Sequence, residues 1–289
     1  MSAKPFALSA LPHSDRCVRT RLLLGTLLTL SAFSAAPAVR AHGDLHGQIQ
    51  RVAREIAAAP SARLHLQRGE LYHDHEDFPA ALADFAEAAR LDSTLTAVDL
   101  ARGRTLFKAG RLTEAHAALE RYLAVKPAHA DAYLLRARIR SGLRRYADAV
   151  ADFDRNLALS PQASPESFLE RAEAWAATGD HAAALAGLDE GLRRLGNLVT
   201  LQDAAIAFEL ALGRTDAALA RVDRMLADLP RKESWLARRG EILAATGRTG
   251  DAREAFSAAL AALERLPAPL RETAAMRDLH ARLRLKLGS

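Results

Sequence analysis

The chain is built on a repeat of 34 residues, and this period constrains its fold more than any single residue does. Six blocks align with one extra residue between the third and the fourth: 62–95, 96–129, 130–163, 165–198, 199–232 and 233–266. Position 20 of every block is alanine: Ala81, Ala115, Ala149, Ala184, Ala218 and Ala252. Position 24 is always large and apolar: Phe85, Leu119, Phe153, Leu188, Val222 and Phe256.

This pattern predicts two antiparallel amphipathic helices in each block. A small residue at the helix crossing lets the backbones approach, and a bulky residue one turn later fills the space beside it. Position 15, between the predicted helices, is glycine in four blocks: Gly110, Gly179, Gly213 and Gly247. Position 32, after the second helix, is proline in three: Pro127, Pro161 and Pro230. Glycine suits a left-handed turn and proline ends a helix, so both support the predicted boundaries.

The first block also shows which repeat family the chain resembles. Its positions 8, 11, 20, 24 and 27 are Gly69, Tyr72, Ala81, Phe85 and Ala88. With a period near 34 residues, this pattern resembles the tetratricopeptide repeat. The resemblance implies an all-α fold, a right-handed superhelical solenoid of helix-turn-helix repeats that binds a protein or peptide partner in its concave groove.

Two features depart from a plain apolar pattern. Arg140 and Glu209 occupy position 11, which is usually bulky in the family, so the fifth repeat is the least regular member. Arginine recurs at position 7, where the stem can cover apolar surface while the guanidinium pairs with a carboxylate. We favour this structural role over a ladder that binds phosphate or carboxylate groups. The arginines at position 7 are Arg68, Arg102, Arg136, Arg171 and Arg239.

Residues 1–41 are predicted to be an export signal that is cleaved after Ala41. Basic residues precede the apolar run 22–33, and small residues follow it. An uncharged stretch of 18 residues, Leu22 to Val39, keeps a retained membrane anchor open as an alternative. The mature chain is therefore expected in the periplasm or outside the cell, with membrane attachment only if this segment is retained.

Removing this segment changes the charge and the cysteine content. It carries five basic residues and one acidic residue, so only +1 of the formal +5 remains on the mature chain. This balance argues against nucleic acid as a partner. Cys17, the single cysteine, also leaves with the segment, so the mature chain has no disulfide. Helices at both ends, within 42–61 and 267–289, are predicted to cap the array, because each repeat buries its face only against a neighbour.

The sequence contains no motif for catalysis. It lacks a glycine-rich phosphate loop, a nucleophile elbow, a zinc-protease helix and a cysteine pair. Neighbouring carboxylates at Asp152 with Asp154, and Asp189 with Glu190, fall on helix faces that are expected to meet solvent. We therefore expect a protein that is not an enzyme and needs no cofactor.

Histidines near the N-terminus give an alternative, a metal-handling protein of the cell envelope. After cleavage His42 would be the first residue, and its amine and imidazole together can chelate copper, with His46 within reach. His73 and His75 lie in a second run with acidic neighbours. Polar residues are also ordinary at a chain terminus and in a turn, so metal binding stays a hypothesis.

The family resemblance implies which side chains line the groove, namely positions 2, 5, 9, 12 and 13 of each first helix. Position 5 supplies a leucine stripe in the early repeats, and charged residues flank it. Part of this stripe is expected to belong to the core between neighbouring helices. The predicted protein-binding residues are Leu66, Glu70, His73, Leu100, Arg104, Phe107, Lys108, Leu134 and Arg138. The groove is predicted to become alanine-rich and acidic in repeats five and six. The expected function is that of an exported scaffold or assembly adaptor.

Overall fold

The computed structural model describes residues 38–288, with side chains from residue 45 onward, and every regular element within this range is an α-helix. The helices are α1 (Ala38–Ala58), α2 (Ala62–Asp74), α3 (Phe78–Leu91), α4 (Ala97–Lys108), α5 (Leu112–Val125), α6 (Ala130–Gly142), α7 (Tyr146–Leu159), α8 (Pro165–Ala177), α9 (His181–Leu195), α10 (Val199–Ala211), α11 (Thr215–Asp228), α12 (Glu233–Ala245), α13 (Thr249–Glu264), α14 (Ala268–Arg271) and α15 (Ala274–Gly288). The predicted all-α solenoid is thereby confirmed.

Helices α2 to α13 form six antiparallel pairs, one for each predicted repeat. The alanines at position 20 and the large residues at position 24 are all buried. Position 8 of the first helix faces position 24 of the second. A side chain on Gly69 or Gly240 would collide with the ring of Phe85 or Phe256, 2.5 Å from an ideal Cβ. In repeat five the larger residue is at position 8 instead of position 24. Ile206 at position 8 belongs to the same core cluster as the smaller Val222 at position 24.

Position 15 adopts a left-handed conformation in every repeat. The four glycines have φ between 72° and 90°. The two repeats without glycine place Glu76 and Arg144 there, with φ of 62° and 59°. The turn between the two helices therefore requires positive φ whichever residue occupies it.

Ion pairs with buried carboxylates explain two of the five arginines at position 7. Arg68 and Arg136 each donate two hydrogen bonds, of 2.7 to 2.8 Å, to the carboxylate at position 23, Asp84 and Asp152 respectively. Asp152 is buried, which corrects the expectation that it meets solvent. It tolerates burial because a second guanidinium, that of Arg140, also lies 2.8 Å from it.

Repeat five carries the reverse arrangement. Arginine stands at position 23, as Arg221, and alanine at position 7, as Ala205. Arg221 donates to Glu209 at 2.8 Å and, across the repeat boundary, to Asp189 at 2.7 Å. The two departures from the apolar pattern at position 11, Arg140 and Glu209, are thus both compensated by opposite charge.

The ends of the array are helical. Helix α15 packs on α13 through Met276, Leu279 and Leu283, which join the core cluster of repeat six. Helix α1 begins at Ala38, before the predicted range 42–61, and it buries Ile49 and Val52. None of the helices in the described part of the chain is long and apolar enough to cross a membrane. The predicted export signal lies outside the described residues, except for its last four, which belong to α1.

Candidate functional site

A cleft of about 270 Å³ lies between the first helices of repeats one and two, α2 and α4. Its lining residues are Glu70, His73, Asp74, Phe85, Ala101, Arg104 and Thr105. Three of the nine predicted binding residues, namely Glu70, His73 and Arg104, therefore meet in one place. The first-helix spacing accounts for this, because residues three or four apart share one face of a helix.

His73 is held on the wall of this cleft by the neighbouring repeat. Its Nδ1 is hydrogen-bonded to Thr105 Oγ1 at 2.7 Å, and Thr105 is buried. Burial lowers the pKa of the His73 imidazole, and the nearby charge of Lys108 lowers this pKa further. The ring is therefore neutral at pH 7 and serves as a polar contact between repeats.

Glu70 and Arg104 bring opposite charges into the same cleft without forming a salt bridge. Glu70 is an exposed residue, yet the packing around its carboxyl withdraws it from water, and this desolvation raises its pKa. The positive charge of Arg104 opposes that increase. Among the described side chains neither residue has an ion-pair partner, so both retain hydrogen-bonding capacity for a ligand.

The apolar members of the predicted site are half-buried. Leu66, Leu100 and Leu134 pack against the core clusters of repeats one, two and three respectively. Phe107 packs against the cluster around Leu106. Only part of each of these side chains is exposed to solvent, so together they form a partly apolar area of the surface.

The two predicted arginines differ in what they can still bind. Arg138 donates two hydrogen bonds, at 2.8 and 2.9 Å, to the carboxylate of Glu170 on the next repeat, and this contact raises its pKa. Arg104 and Lys108 are exposed, and neither forms an ion pair with an aspartate or glutamate in the part of the chain that the structure describes. A carboxylate ligand is therefore expected at Arg104 and Lys108 rather than at Arg138.

We call the surface formed by the nine predicted residues, together with Thr105, Glu170 and Glu173, the groove face. Sequence reasoning left these three residues out of the predicted site. Glu173 occupies position 9, the position that supplies Glu70, Arg104 and Arg138, so the same positional argument predicts it. Thr105 lies outside those positions, and only the packing of α2 against α4 reveals it.

The copper hypothesis gains no support from the described side chains. Within residues 45–288 no group of three histidine, cysteine, aspartate or glutamate side chains is arranged to hold a metal ion. His46 is hydrogen-bonded to Gln50 at 2.8 Å, and His73 is engaged with Thr105. The side chain of His42 lies outside the described residues.

Comparison with known proteins agrees with the fold. A family model described as tetratricopeptide repeat matches residues 100–164 and 209–267. The fold is that of a tetratricopeptide repeat solenoid. Human tetratricopeptide repeat protein 13 is 33% identical over 91 residues, which are 32% of this chain and 11% of that protein. The chain thus matches only a small part of this relative's length.

Two solved structures share the tetratricopeptide architecture over most of the chain. The C-terminal part of a repeat protein from Cytophaga hutchinsonii is 15% identical, with a TM-score of 0.63, and the match covers 84% of this chain and 96% of that one. A tetratricopeptide repeat protein from Parabacteroides merdae is 16% identical, with a TM-score of 0.51, and the match covers 85% and 94%. At these identities the likeness shows the fold alone.

Proposed function

We propose that this chain is an exported, non-catalytic scaffold that binds a segment of a protein partner on its groove face. The observation that carries the proposal is the cleft between α2 and α4, where Glu70 and Arg104 converge without forming an ion pair. Hydrogen bonds from a partner to both groups would replace the interactions with water that Glu70 has lost through packing.

The fold supports a protein partner. A solenoid presents an extended surface made of successive first helices, and such surfaces suit long, thin ligands. One solved structure of similar fold, at 14% identity and a TM-score of 0.50, is that of Naa15/Naa10 bound to HypK-THB. A non-catalytic role agrees with the sequence, which lacks every catalytic motif considered above.

Photo-crosslinking tests the location of binding. A photoreactive amino acid replaces Ala177, an exposed alanine on first helix α8, and in the control it replaces Ala151, an exposed alanine on second helix α7. We expect a discrete crosslinked partner from position 177 and none from position 151. Equal capture at both positions would contradict binding on the groove face.

Affinity for the captured partner tests the chemistry. Isothermal titration calorimetry should show that Arg104→Glu combined with Lys108→Glu weakens binding at least about tenfold, the scale of one charge-assisted contact. The control of equal charge change is Arg155→Glu combined with Arg253→Glu, and it should bind like wild type. Both arginines are exposed on second helices, α7 and α13, and neither has an ion-pair partner among the residues that the structure describes. Unchanged affinity in the double variant would exclude this part of the surface.

Export is the second part of the proposal, and its support is the basic, apolar and small-residue order of residues 1–41. Intact-mass measurement of the protein from its native host should give a chain that begins at His42. A mass that includes residues 1–41 would instead support the retained anchor.

A further inference from the structure

The groove face carries unpaired charges of opposite sign in different repeats. In repeat two, Arg104 and Lys108 are exposed on α4 and have no ion-pair partner within the described residues. In repeat four, Glu173 is exposed on α8, and it forms no ion pair with a basic side chain within residues 45–288. Glu70 of repeat one is also unpaired and lies in the same cleft as Arg104, so it offsets part of the positive charge there. Together with Lys108, Arg104 still leaves a net positive charge at repeats one and two, and repeat four carries a negative one.

Between these two places the surface charge is neutralised. Arg138 of repeat three and Glu170 of repeat four hold each other through two hydrogen bonds. This pair also shows that the faces of α6 and α8 meet, because it joins position 9 of one repeat to position 6 of the next. A ligand that crosses the middle of the groove face meets a neutral pair.

Glu173 is a site where a cation would bind well. Although the residue is exposed, packing around its carboxyl withdraws this group partly from water, and this desolvation raises its pKa; the negative charge of Glu170 raises the pKa further. Because Arg138 already neutralises Glu170, Glu173 is the carboxylate of this region left without a counter-charge. A lysine or arginine of a partner would restore the stabilisation that the carboxylate has lost on leaving water.

The spacing of the two charged places sets the length of the ligand between them. The first helix of repeat three contacts those of repeats two and four, and packed helices lie about 9 Å apart. Two such steps separate repeat two from repeat four, a span of roughly 18 Å. An extended chain covers about 3.3 Å per residue, so the span corresponds to roughly five or six residues.

We infer that the ligand of the groove face is an extended protein segment with charges of opposite sign at its two ends. Carboxylates contact Arg104 and Lys108, and a lysine or arginine roughly six residues away contacts Glu173. The inference rests on the proposed function, because it assumes that the partner lies on the groove face. It adds the charge order and the spacing that the partner must have.

Three fluorescein-labelled synthetic peptides of 12 residues test this charge order against the purified protein by fluorescence anisotropy. All three share a neutral centre of six residues, and they carry acidic and basic ends, two acidic ends, or two basic ends. We expect the mixed peptide to bind at least about tenfold more tightly than either of the others, since like charge facing like charge is penalised.

A change of specificity gives the sharper test. In Glu173→Lys the positive charge extends across repeat four, so we expect the peptide with two acidic ends to become the tightest ligand. Glu254→Lys, at an exposed position on second helix α13, is the control of equal charge change and should keep the wild-type order. A Glu173→Lys protein that still prefers the mixed peptide overturns the inference.

The outcomes separate this inference from the proposed function. If wild type binds the three peptides equally, or binds none while position 177 still crosslinks a partner, the charge order is wrong and the scaffold function stands. If crosslinking does not distinguish position 177 from position 151, the proposed function fails and the inference fails with it.

Discussion

Glu76 and Arg144 adopt the left-handed conformation that glycine adopts in the other four repeats. In this conformation a Cβ atom crowds the following carbonyl, which costs about 1–2 kcal/mol for an ordinary residue. Both side chains lie in exposed turns, so little packing compensates for this cost. Each of these turns is therefore a local source of instability in an otherwise regular array.

Replacing these two residues by glycine should stabilise the protein. We expect Glu76→Gly and Arg144→Gly each to raise the free energy of unfolding by about 1 kcal/mol, because glycine adopts positive φ without the steric penalty. Urea denaturation followed by circular dichroism measures the change. Gly213→Ala is the opposite control and should lower stability by a similar amount. A decrease in both glycine variants would refute the argument.

Ala149, at position 20 of repeat three, should not tolerate a larger side chain. It is fully buried where α6 and α7 cross, so Ala149→Leu should cost about 1–3 kcal/mol through overpacking. Ala151 lies on the same helix but is exposed, and Ala151→Leu should be nearly neutral. Thermal denaturation compares the two variants, and equal melting temperatures would mean that the assigned repeat register is wrong.

At the scale of the element, five of the six second helices begin with one of two side-chain contacts. Asp77 and Asp180 accept hydrogen bonds from the backbone N–H three residues later, at 3.1 and 2.8 Å. In three other repeats the N-cap is arginine, and its guanidinium pairs with an acidic residue three positions later: Arg111 with Glu114, Arg145 with Asp148, and Arg248 with Asp251. Arg214, at the start of α11, has neither kind of contact among the described residues.

This difference predicts that α11 can be stabilised by a substitution at its N-cap residue. Arg214→Asp should raise the free energy of unfolding by about 1 kcal/mol, because the carboxylate can accept an N–H that now has no side-chain partner. It also places negative charge at the positive end of the helix dipole. Arg214→Ala separates this effect from loss of the arginine and should change stability little. An aspartate variant no more stable than the alanine variant would argue against capping.

The buried pair in repeat five gives a second prediction at this scale. Arg221→Ala leaves Glu209 buried without its guanidinium and should cost about 3–5 kcal/mol. Repeats two and six have leucine and alanine at the same two positions. We therefore expect Glu209→Leu to rescue Arg221→Ala to near wild-type stability in chemical denaturation. A double variant as unstable as the single one would show that the ions contribute more than mutual compensation.

At the scale of the whole molecule, α15 is expected to be essential. Its Met276, Leu279 and Leu283 cover the apolar face of α13, which no further repeat covers within the described chain. Deleting residues 267–289 should lower the melting temperature and promote association, since an open end of a solenoid exposes core surface. Differential scanning calorimetry and light scattering measure both effects. Leu285→Ala, at an exposed position on α15, should change neither.

The sequence predicted the fold well because the signals for it recur at fixed positions. Ala81 and its five counterparts occupy equivalent crossings, so each repeat supports the same register. The candidate site was harder to predict, because side-chain pairing between repeats is set by three-dimensional packing. Arg138 and Glu170 stand 32 residues apart, and the sequence alone gave no reason to pair them. The burial of Asp152 was missed because its compensation requires two arginines from another helix.

The hydrogen bond from Arg221 to Asp189 bears on how such an array can be rearranged by duplication or recombination. Asp189 belongs to repeat four and stands at position 25, where repeats two, three and five also carry an acidic residue, whereas repeats one and six carry Ala86 and Ser257. A copy of repeat five placed after repeat one or six would lose this carboxylate. The buried arginine therefore restricts which neighbours this module accepts, so the order of the units is a property that selection can act on.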